Sequence, residues 1–458
     1  MAENKNTLKR DLGLVAAISI VVGNMVGSGI YGLPSDLAKL ASPSVTLLAW
    51  ISVSIGAIII ALSYGNLSKY IPKAGGPVVY AETAMGRFSG YAVSLVWWVA
   101  AAIGNAAIVE LMFTTGAELF AGINTPVNKL VVNLLVLWIF TYINIRGVKF
   151  AGWVSMGANV LKFFVFVLLI LVAIPFFNTD ILLSTELPQN LADKPDVSVF
   201  SMFSAAIALM FWAYTGLESS TMAGSEIKNP EKNIQRSVVW GLVLVMVIYL
   251  ALNVSLFVLV PQDQLAASDS PFADAINKGL SISYGRYVIN ACILASLIGT
   301  LAGWIMATAR SVYAASVDKF FIQSFSKLHN KYSTPHVALI VSGVVTSIFF
   351  FLNFYNDMSE NDKSLSHFVN ITTVAAFINL PTYLITVISE YVLIRKKKIG
   401  TSIFNNIRLF FAFLIAVIFL YFGWKGSIVP PVYWYVSFSL LAIGFLCYPL
   451  FIKKIGRK

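Results

Sequence analysis

The chain has 458 residues, of which 58% are apolar and 12% are charged, and its formal net charge is +11. Soluble domains carry about 25% charged residues, so this composition excludes an ordinary soluble protein and predicts a surface that faces lipid. The Lys and Arg residues are not gathered on a soluble fold in a patch that suits nucleic acid, and we expect no nucleic-acid partner.

Apolar stretches long enough to cross a hydrocarbon core of about 30 Å as helices recur along nearly the whole chain. We predict twelve membrane spans, at 13–41, 45–70, 87–120, 127–144, 150–177, 199–226, 236–260, 285–316, 336–354, 366–394, 404–424 and 431–452. The first apolar run is too long for a cleaved signal peptide and leads directly into further spans. The even number of spans places both termini on one side of the membrane.

Positive charge is distributed unevenly between the two sides of this topology. Most Lys and Arg residues lie at the termini or in the connections that follow the even-numbered spans. Because cytoplasmic loops are enriched in Lys and Arg, these segments are predicted to face the cytoplasm. We therefore predict a multi-pass protein of a cell inner membrane or plasma membrane, with both termini cytoplasmic and the lipid bilayer as its surroundings.

The residue types that support catalysis or metal binding are sparse. Cys292 and Cys447 fall in separate predicted spans, which predicts neither a disulfide framework nor a metal site. His329, His336 and His367 lie in a loop or near a span end, and the chain contains no metalloprotease or nucleophile-elbow motif. We expect no enzyme activity, no cofactor and no metal.

Spans 1 and 6 each contain an interruption that the other spans lack. In span 1 it is the run 23–29, GNMVGSG, and in span 6 the run 212–218, WAYTGLE. Non-helical backbone at membrane depth is tolerated only where it is buried in protein or lines a cavity. Packing by small residues is the alternative, but it does not explain the polar Ser28 and Glu218 in the two breaks. Two broken helices five spans apart predict an inverted repeat with substrate bound between them.

The predicted organisation is therefore an all-α membrane protein built from a five-plus-five inverted repeat with spans 1 and 6 broken. Its parts are a cytoplasmic N-terminus (1–11), a first repeat (12–178), a second repeat (199–395), two peripheral helices (404–452) and a cytoplasmic C-terminus (453–458).

The chemistry of the breaks suits a zwitterion. Free amides around Gly27, Ser28 and Gly29 lie at the positive end of a helix dipole, which favours a carboxylate. Unpaired carbonyls at the ends of the first half-helices, on Met25, Trp212 and Thr215, can accept hydrogen bonds from an ammonium group. A free α-amino acid carries both groups.

Several short motifs, in order along the chain, resemble the amino acid, polyamine and organocation superfamily of transporters. They are GSGI at 27–30, PKAGG at 72–76, GLES at 216–219, KNPEKN at 228–233 and SPF at 270–272. Within that superfamily the chain looks most like the bacterial basic amino-acid antiporters. This narrower resemblance rests on Trp97, Asn105 after Gly104, Trp212 and Trp304.

The resemblance implies a leucine-transporter-like fold and a secondary amino-acid transporter that works by alternating access. The implied substrate is a cationic amino acid (arginine, lysine or ornithine), imported or exchanged, with protons as a further coupled ion. The implied substrate-binding residues are Met25, Val26, Gly27, Ser28, Gly29, Trp97, Ala101, Asn105, Ile108, Trp212, Thr215, Trp304 and Val374. The indole rings of Trp212 and Trp304 would stack on a cation, contributing about 1–2 kcal/mol.

The chain departs from the arginine-antiporter pattern at four positions near the side-chain end of the site. These are Val78, Ala101, Val374 and Thr382. They leave a neutral amino-acid permease or exchanger open. A nutrient receptor that binds without transporting is another alternative, and a channel agrees less well with broken helices around a closed site. A homodimer is also compatible with the sequence.

Two ionisable residues are candidates for coupling or gating. Lys162 lies deep inside predicted span 5, where a charge costs about 3 kcal/mol to insert and is a functional candidate by default. By resemblance to proton-dependent relatives, its ammonium is expected to approach the Gly23 carbonyl and Thr308. Glu218 is expected to be a proton-sensitive carboxylate. The alternative for Lys162 is a static pair with a buried carboxylate such as Glu110.

Overall fold

The computed structural model describes residues 10–73, 75–120, 122–192, 197–224, 226–282, 284–319, 321–359, 365–400, 402–426 and 429–455. Within these ranges eleven helices are long and apolar enough to cross a membrane, or twelve when one bent pair is counted as a single span. The predicted all-α fold with twelve spans is confirmed. The start of the chain pairs with the connection after span 6, since the amide of Leu12 donates to the Glu226 carbonyl at 3.0 Å.

We number the spans in chain order. They are 1a (Leu14–Met25) and 1b (Ser28–Leu40), 2 (Pro43–Tyr70), 3 (Arg87–Ala117), 4 (Pro126–Arg146), 5 (Val148–Ala173), 6 (Val199–Met222), 7 (Pro230–Leu259), 8 (Gly285–Val317), 9 (His336–Met358), 10 (His367–Arg395), 11 (Ile403–Lys425) and 12 (Pro431–Ile455). Short helices Pro77–Met85 and Pro271–Leu280 lie in the connections after spans 2 and 7.

The helix packing follows the exchange expected of an inverted repeat. Span 2 packs along span 7, span 3 along span 8, and span 4 along span 9. Span 3 also packs on span 10, and span 8 on span 5. In an inverted repeat, spans 1–5 correspond to spans 6–10 in order. The pairs 2–7, 3–8 and 4–9 each join corresponding spans, and the pair 3–10 corresponds to the pair 8–5. The packing therefore supports the predicted repeat.

Span 1 is broken at the predicted glycine-rich run. The helix ends at Met25 and restarts at Ser28, and the two halves meet at an angle of 43°. A Cβ added to Gly29 would lie 3.1 Å from the Trp212 ring and 3.3 Å from the Ala213 backbone. The absence of a side chain at Gly29 thus lets span 1b approach the break in span 6.

Span 6 changes conformation three times within a few residues. An α-helix runs from Val199 to Met210, a 3₁₀ segment covers Phe211–Tyr214, and the helix resumes at Ser219–Met222. Gly216 adopts a φ of +101°, which side-chain-bearing residues rarely adopt. The sequence therefore needs glycine here to open span 6 at mid-membrane.

Spans 11 and 12 lie at the periphery of the bundle. Only 22% and 17% of the residues in their most apolar stretches are buried inside the protein. Arg408 at the start of span 11 pairs with the fully buried Glu390 of span 10 and donates to the Ser63 hydroxyl of span 2 at 3.0 Å. This pair fixes span 11 to the repeat while its apolar face remains open to lipid.

Candidate functional site

The two helix breaks meet at one tyrosine hydroxyl. Tyr249 of span 7 is fully buried, and its hydroxyl lies 2.9 Å from the carbonyl oxygens of both Met25 and Ala213. A hydroxyl has one proton, so it donates to one carbonyl at a time. Tyr249 therefore links the end of span 1a to the 3₁₀ segment of span 6. The sequence analysis missed it, although a tyrosine inside an apolar span must find a partner for its hydroxyl.

Two of the carbonyls predicted to be free for an ammonium group already have partners. The Met25 carbonyl accepts from Tyr249, and the Trp212 carbonyl accepts from the Thr215 amide at 3.1 Å. The reason is local: a 3₁₀ turn closes its own hydrogen bond three residues on, and the carbonyl at the end of span 1a faces span 7. A carbonyl oxygen has two lone pairs, so each can still accept a second donor.

The amide side of the break agrees with the prediction. The N-terminus of span 1b begins at Ser28 with no side chain capping its first turn. Gly27 precedes it with φ of −130° and ψ of −137°. The N–H groups of the first turn thus point away from the helix with a partial positive charge, as an anion site requires.

Beside the breaks lies a small cavity of about 10 Å³ between spans 3, 6, 8 and 10. It is lined by Trp97, Ala100, Ala101, Trp212, Thr215, Trp304, Ala375 and Asn379. The structure thus brings together the three predicted tryptophans and two further predicted residues. Ala100, Ala375 and Asn379 were not predicted. The cavity is too small for an amino-acid side chain in this conformation.

Trp212 is the ring that fills the site. Its indole N–H donates to the Ser28 hydroxyl at 3.3 Å. A Cβ added to Gly104 would lie 2.4 Å from the far edge of the same ring. The ring is therefore held between span 1b and a notch in span 3 that only glycine provides.

Eight of the thirteen predicted substrate-binding residues line neither the small cavity nor the larger cavity described below; they are Met25, Val26, Gly27, Ser28, Gly29, Asn105, Ile108 and Val374. Val374, Ile108 and Val26 are buried among other side chains. For Val374 the reason is helix rotation: each residue turns by 100°, so its neighbour Ala375 and the residue one turn on, Asn379, face the cavity instead. Asn105 also lies outside the small cavity, and its amide group donates to the Thr308 hydroxyl at 3.1 Å.

A larger cavity of about 830 Å³ extends from the breaks toward the 2–3 and 6–7 connections. Trp97 and Trp304 line both cavities and so form the partition between them. At the deep end the wall includes Gly23, Lys162 and Glu218, and at the mouth it includes Gly75, Glu226 and Asp318. The small cavity lined by the three tryptophans, which we call the indole pocket, thus lies next to a cavity that opens on the side of the 2–3 and 6–7 connections.

Glu218 stands at the junction of pocket and cavity. The carboxyl group is buried, and one oxygen accepts from the Trp97 indole N–H at 2.9 Å. Its other oxygen has no hydrogen-bond partner among the described residues. The Glu218 carboxyl group therefore contacts one of the two rings that line both cavities.

Lys162 contacts the break in span 1, but at a different carbonyl from the one expected. Its ammonium donates to Val26 at 2.7 Å and to the Asn159 side chain at 3.1 Å. The prediction of Gly23 was wrong because Val26 lies just past the last helical residue, where the carbonyl is released from the helix. Thr308, the other expected contact, accepts from Asn105 and donates to the Trp304 carbonyl at 2.7 Å.

The alternative partner for Lys162 is also excluded. Glu110 pairs with Lys129 and accepts from Asn133 and Asn353 at 2.9 and 3.2 Å. These partners belong to spans 4 and 9, on the side of span 3 away from the indole pocket. Among the described residues, Lys162 has no carboxylate partner of the kind that the sequence left open.

Comparison with known proteins assigns the family. The profile of the amino acid permease family matches residues 12–452, nearly the whole chain. The chain belongs to the amino acid permease family. The permease is therefore a membrane transporter and not an enzyme, as the sequence analysis predicted.

Curated relatives of this permease are bacterial transporters. It is 27% identical to an arginine/ornithine antiporter of Latilactobacillus sakei over 79% of this chain and 76% of that protein. It is 26% identical to the cadaverine/lysine antiporter of Escherichia coli K12 over 82% of each chain. The putrescine transporter PotE of Haemophilus influenzae is 24% identical over 97% of this chain and 98% of its own length.

Proposed function

We propose that this permease is a secondary antiporter of a bacterial inner membrane that exchanges a cationic amino acid by alternating access. The observation that carries the proposal is the pocket of Trp97, Trp212 and Trp304 at the junction of two broken spans. Indole faces attract ammonium and guanidinium groups, most strongly where water is excluded. The substrates in the names of the relatives, arginine, ornithine, lysine, cadaverine and putrescine, all carry such a group.

The proposed binding pose follows from the two breaks. The substrate carboxylate lies against the amides of Gly27, Ser28 and Gly29, at the positive end of span 1b. The α-ammonium group takes the second lone pair of carbonyls such as Met25. The side chain then extends toward the tryptophans, into the place that Trp212 fills now. An amine without a carboxylate would make no contact with the span 1b amides and would bind through the carbonyls and the tryptophans alone.

The conformation supports alternating access. The larger cavity opens on the side of the 2–3 and 6–7 connections, which the positive-inside rule predicts to be cytoplasmic. On the opposite side Asp36 of span 1b accepts from the Ser366 hydroxyl at 2.6 Å, at the start of span 10. We therefore describe the conformation as inward-facing and closed at the outer side. A homodimer stays a prediction.

Proton coupling is a second part of the proposal. Lys162 and Glu218 are buried ionisable groups at the two breaks, and both line the larger cavity. A change of charge on either would alter a hydrogen bond that holds span 1 or Trp97. Exchange measured from pH 5 to pH 8 in wild type, Lys162→Gln and Glu218→Gln would test this. An unchanged pH profile in both variants would remove the coupling role and leave the exchange function intact.

Uptake of labelled arginine and labelled lysine into proteoliposomes tests the main proposal. The vesicles are loaded in parallel with arginine, ornithine, lysine, cadaverine, putrescine, leucine or buffer. We expect uptake only when a basic amino acid or its amine is inside. Uptake of labelled leucine against internal leucine, with none of arginine or lysine, would instead establish a neutral amino-acid exchanger. Tight binding without flux in any vesicle would indicate a receptor.

A further inference from the structure

Asn379 carries a buried acceptor that no described residue satisfies. It lies on span 10, it is 1% exposed, and it lines the small indole pocket. Its amide nitrogen donates to the Tyr383 hydroxyl at 3.1 Å, one turn along the helix. Its amide oxygen has no hydrogen-bond partner among the described residues. A buried polar atom without a partner is unfavourable unless a ligand supplies one.

Among the other side chains that line the pocket, the Thr215 hydroxyl is the one possible hydrogen-bond acceptor, and it is neither charged nor an amide. The indole nitrogens are donors only, and those of Trp97 and Trp212 already donate to Glu218 and Ser28. The Thr215 hydroxyl faces the Phe211 carbonyl at 3.5 Å, and the remaining lining residues apart from Trp304 are alanines. The Asn379 oxygen is therefore the uncommitted amide acceptor of this pocket.

We propose that the Asn379 side-chain oxygen accepts a hydrogen bond from the charged end of the substrate side chain and so selects cationic over neutral amino acids. This inference deepens the proposed function and rests on it. The indole faces attract a cation without fixing its direction, whereas an amide oxygen adds a directed partner to an ammonium or guanidinium N–H. Ala375, one turn earlier on the same face, leaves room for the substrate to approach Asn379.

Asn105 is the obvious competitor for this role, since its oxygen is also buried without a partner. It does not line the small cavity, and its nitrogen is committed to Thr308 of span 8. The geometry therefore favours Asn379 for the side-chain cation. Asn105 ties span 3 to span 8 beside the pocket.

The test compares lysine with norleucine, which has the same chain but no ammonium group at its end. KM for lysine exchange and competition by norleucine are measured in proteoliposomes for wild type, Asn379→Leu, Asn379→Ala and Asn379→Asp. Leucine keeps the branched shape of asparagine without the acceptor, alanine removes the acceptor with less steric risk, and aspartate retains an acceptor oxygen. Tyr383→Phe, a fourth variant, removes the partner of the amide nitrogen and leaves the oxygen.

We expect Asn379→Leu and Asn379→Ala to raise the lysine KM about tenfold, equivalent to about 1.4 kcal/mol, with norleucine competition changed far less. Asn379→Asp and Tyr383→Phe should keep the preference for lysine. Equal losses for lysine and norleucine in both acceptor-less variants would show that Asn379 only supports the structure, and an unchanged lysine KM would also overturn the inference. If wild type itself fails to exchange lysine, ornithine and arginine, the proposed function fails instead.

Discussion

The ammonium group of Lys162 lies 2.7 Å from the carbonyl oxygen of Val26, the first residue past the end of span 1a. This hydrogen bond joins span 5 to the point where span 1 bends. A positive charge there also faces the negative end of a half-helix, where the last carbonyls lack helical partners. The Lys162 ammonium group thus stabilises the end of a broken helix with a positive charge that belongs to the protein itself.

Replacing Lys162 with methionine should slow exchange while leaving the fold intact. Methionine fills the buried space but cannot donate to Val26, and a hydrogen bond from a charged group is worth about 1.5–3 kcal/mol. If the whole of that energy is needed in the transport cycle, the rate falls about 10- to 100-fold. Initial exchange rates in proteoliposomes at matched protein density measure this.

The control for this prediction is Asn159→Ala. It removes the second acceptor of the ammonium group, at 3.1 Å, and leaves the bond to Val26. Its exchange rate should remain close to that of wild type. A loss as large as that of Lys162→Met would mean that the local surroundings of the lysine matter, and not its contact with the break.

Replacing Tyr249 with phenylalanine should lower both stability and turnover. The change leaves two buried carbonyls, on Met25 and Ala213, without their shared donor, at a cost of about 1–3 kcal/mol. Thermal unfolding in detergent reports the stability, and exchange reports the turnover. Tyr214→Phe is the matched control, because this ring lies in the same aromatic cluster but its hydroxyl pairs with Ser54.

A smaller effect on exchange from Tyr249→Phe than from Tyr214→Phe would contradict the assignment of Tyr249 as the link between the breaks. We expect the reverse order, since Ser54 retains its own bond to the Trp50 carbonyl at 2.6 Å when Tyr214 is changed.

The span topology and the two breaks could be predicted because hydropathy, glycine runs and the charge of the connections are local properties of the sequence. Residue partners across the bundle could not. Directions within one helix are also local, because each residue turns by 100°: Glu110 lies about 140° around span 3 from Asn105, and the two side chains contact different spans. The partner of Glu110, Lys129, comes from another helix, and no local pattern joins the two.

Two details of the structure differ from the expectation by a few residues. The Lys162 ammonium contacts the Val26 carbonyl, three residues after the expected Gly23, and Ala375, one residue after Val374, lines the small cavity. Helix ends read from sequence are uncertain by several residues. A shift of one residue changes which carbonyl is free and rotates a side chain by 100°. Asn379 was missed because nothing in the sequence distinguishes it from the other polar residues of span 10.

Gly104→Ala should impair exchange by displacing Trp212. A methyl group at this position would lie 2.4 Å from the ring, nearer than two carbon atoms can approach. The ring must leave the notch in span 3, and overpacking of this kind costs about 1–3 kcal/mol. We expect a changed KM for arginine together with a lower maximal exchange rate.

Gly116→Ala in the same span provides the comparison, since a Cβ there would meet nothing within 4 Å. It should leave KM and rate unchanged, and a gain of helix propensity should leave stability equal or slightly higher. If both alanine variants behave like wild type, Trp212 moves freely in the site and the notch at Gly104 has no role.

The pair of Glu110 and Lys129 allows a test of buried charge that is separate from transport. Glu110→Leu leaves the Lys129 ammonium, whose side chain is 16% exposed, without its main partner. Breaking a buried ion pair on one side costs about 3–5 kcal/mol, so the unfolding temperature should fall clearly. Among the described residues Lys129 keeps a weaker contact with Asp357, at 3.9 Å, and lies 6.0 Å from the centroid of the Phe113 ring.

The double variant Glu110→Leu with Lys129→Met should recover most of that loss, because apolar pairs of similar volume replace buried ion pairs at little net cost. The more exposed pair of Arg286 and Glu118 is the reference, and Arg286→Gln there should cost about 1 kcal/mol or less. Unfolding temperatures in one detergent compare the four proteins. A double variant as unstable as Glu110→Leu alone would show that Asn133 and Asn353 depend on the Glu110 carboxylate, and the network would then be the stabilising unit in place of the ion pair.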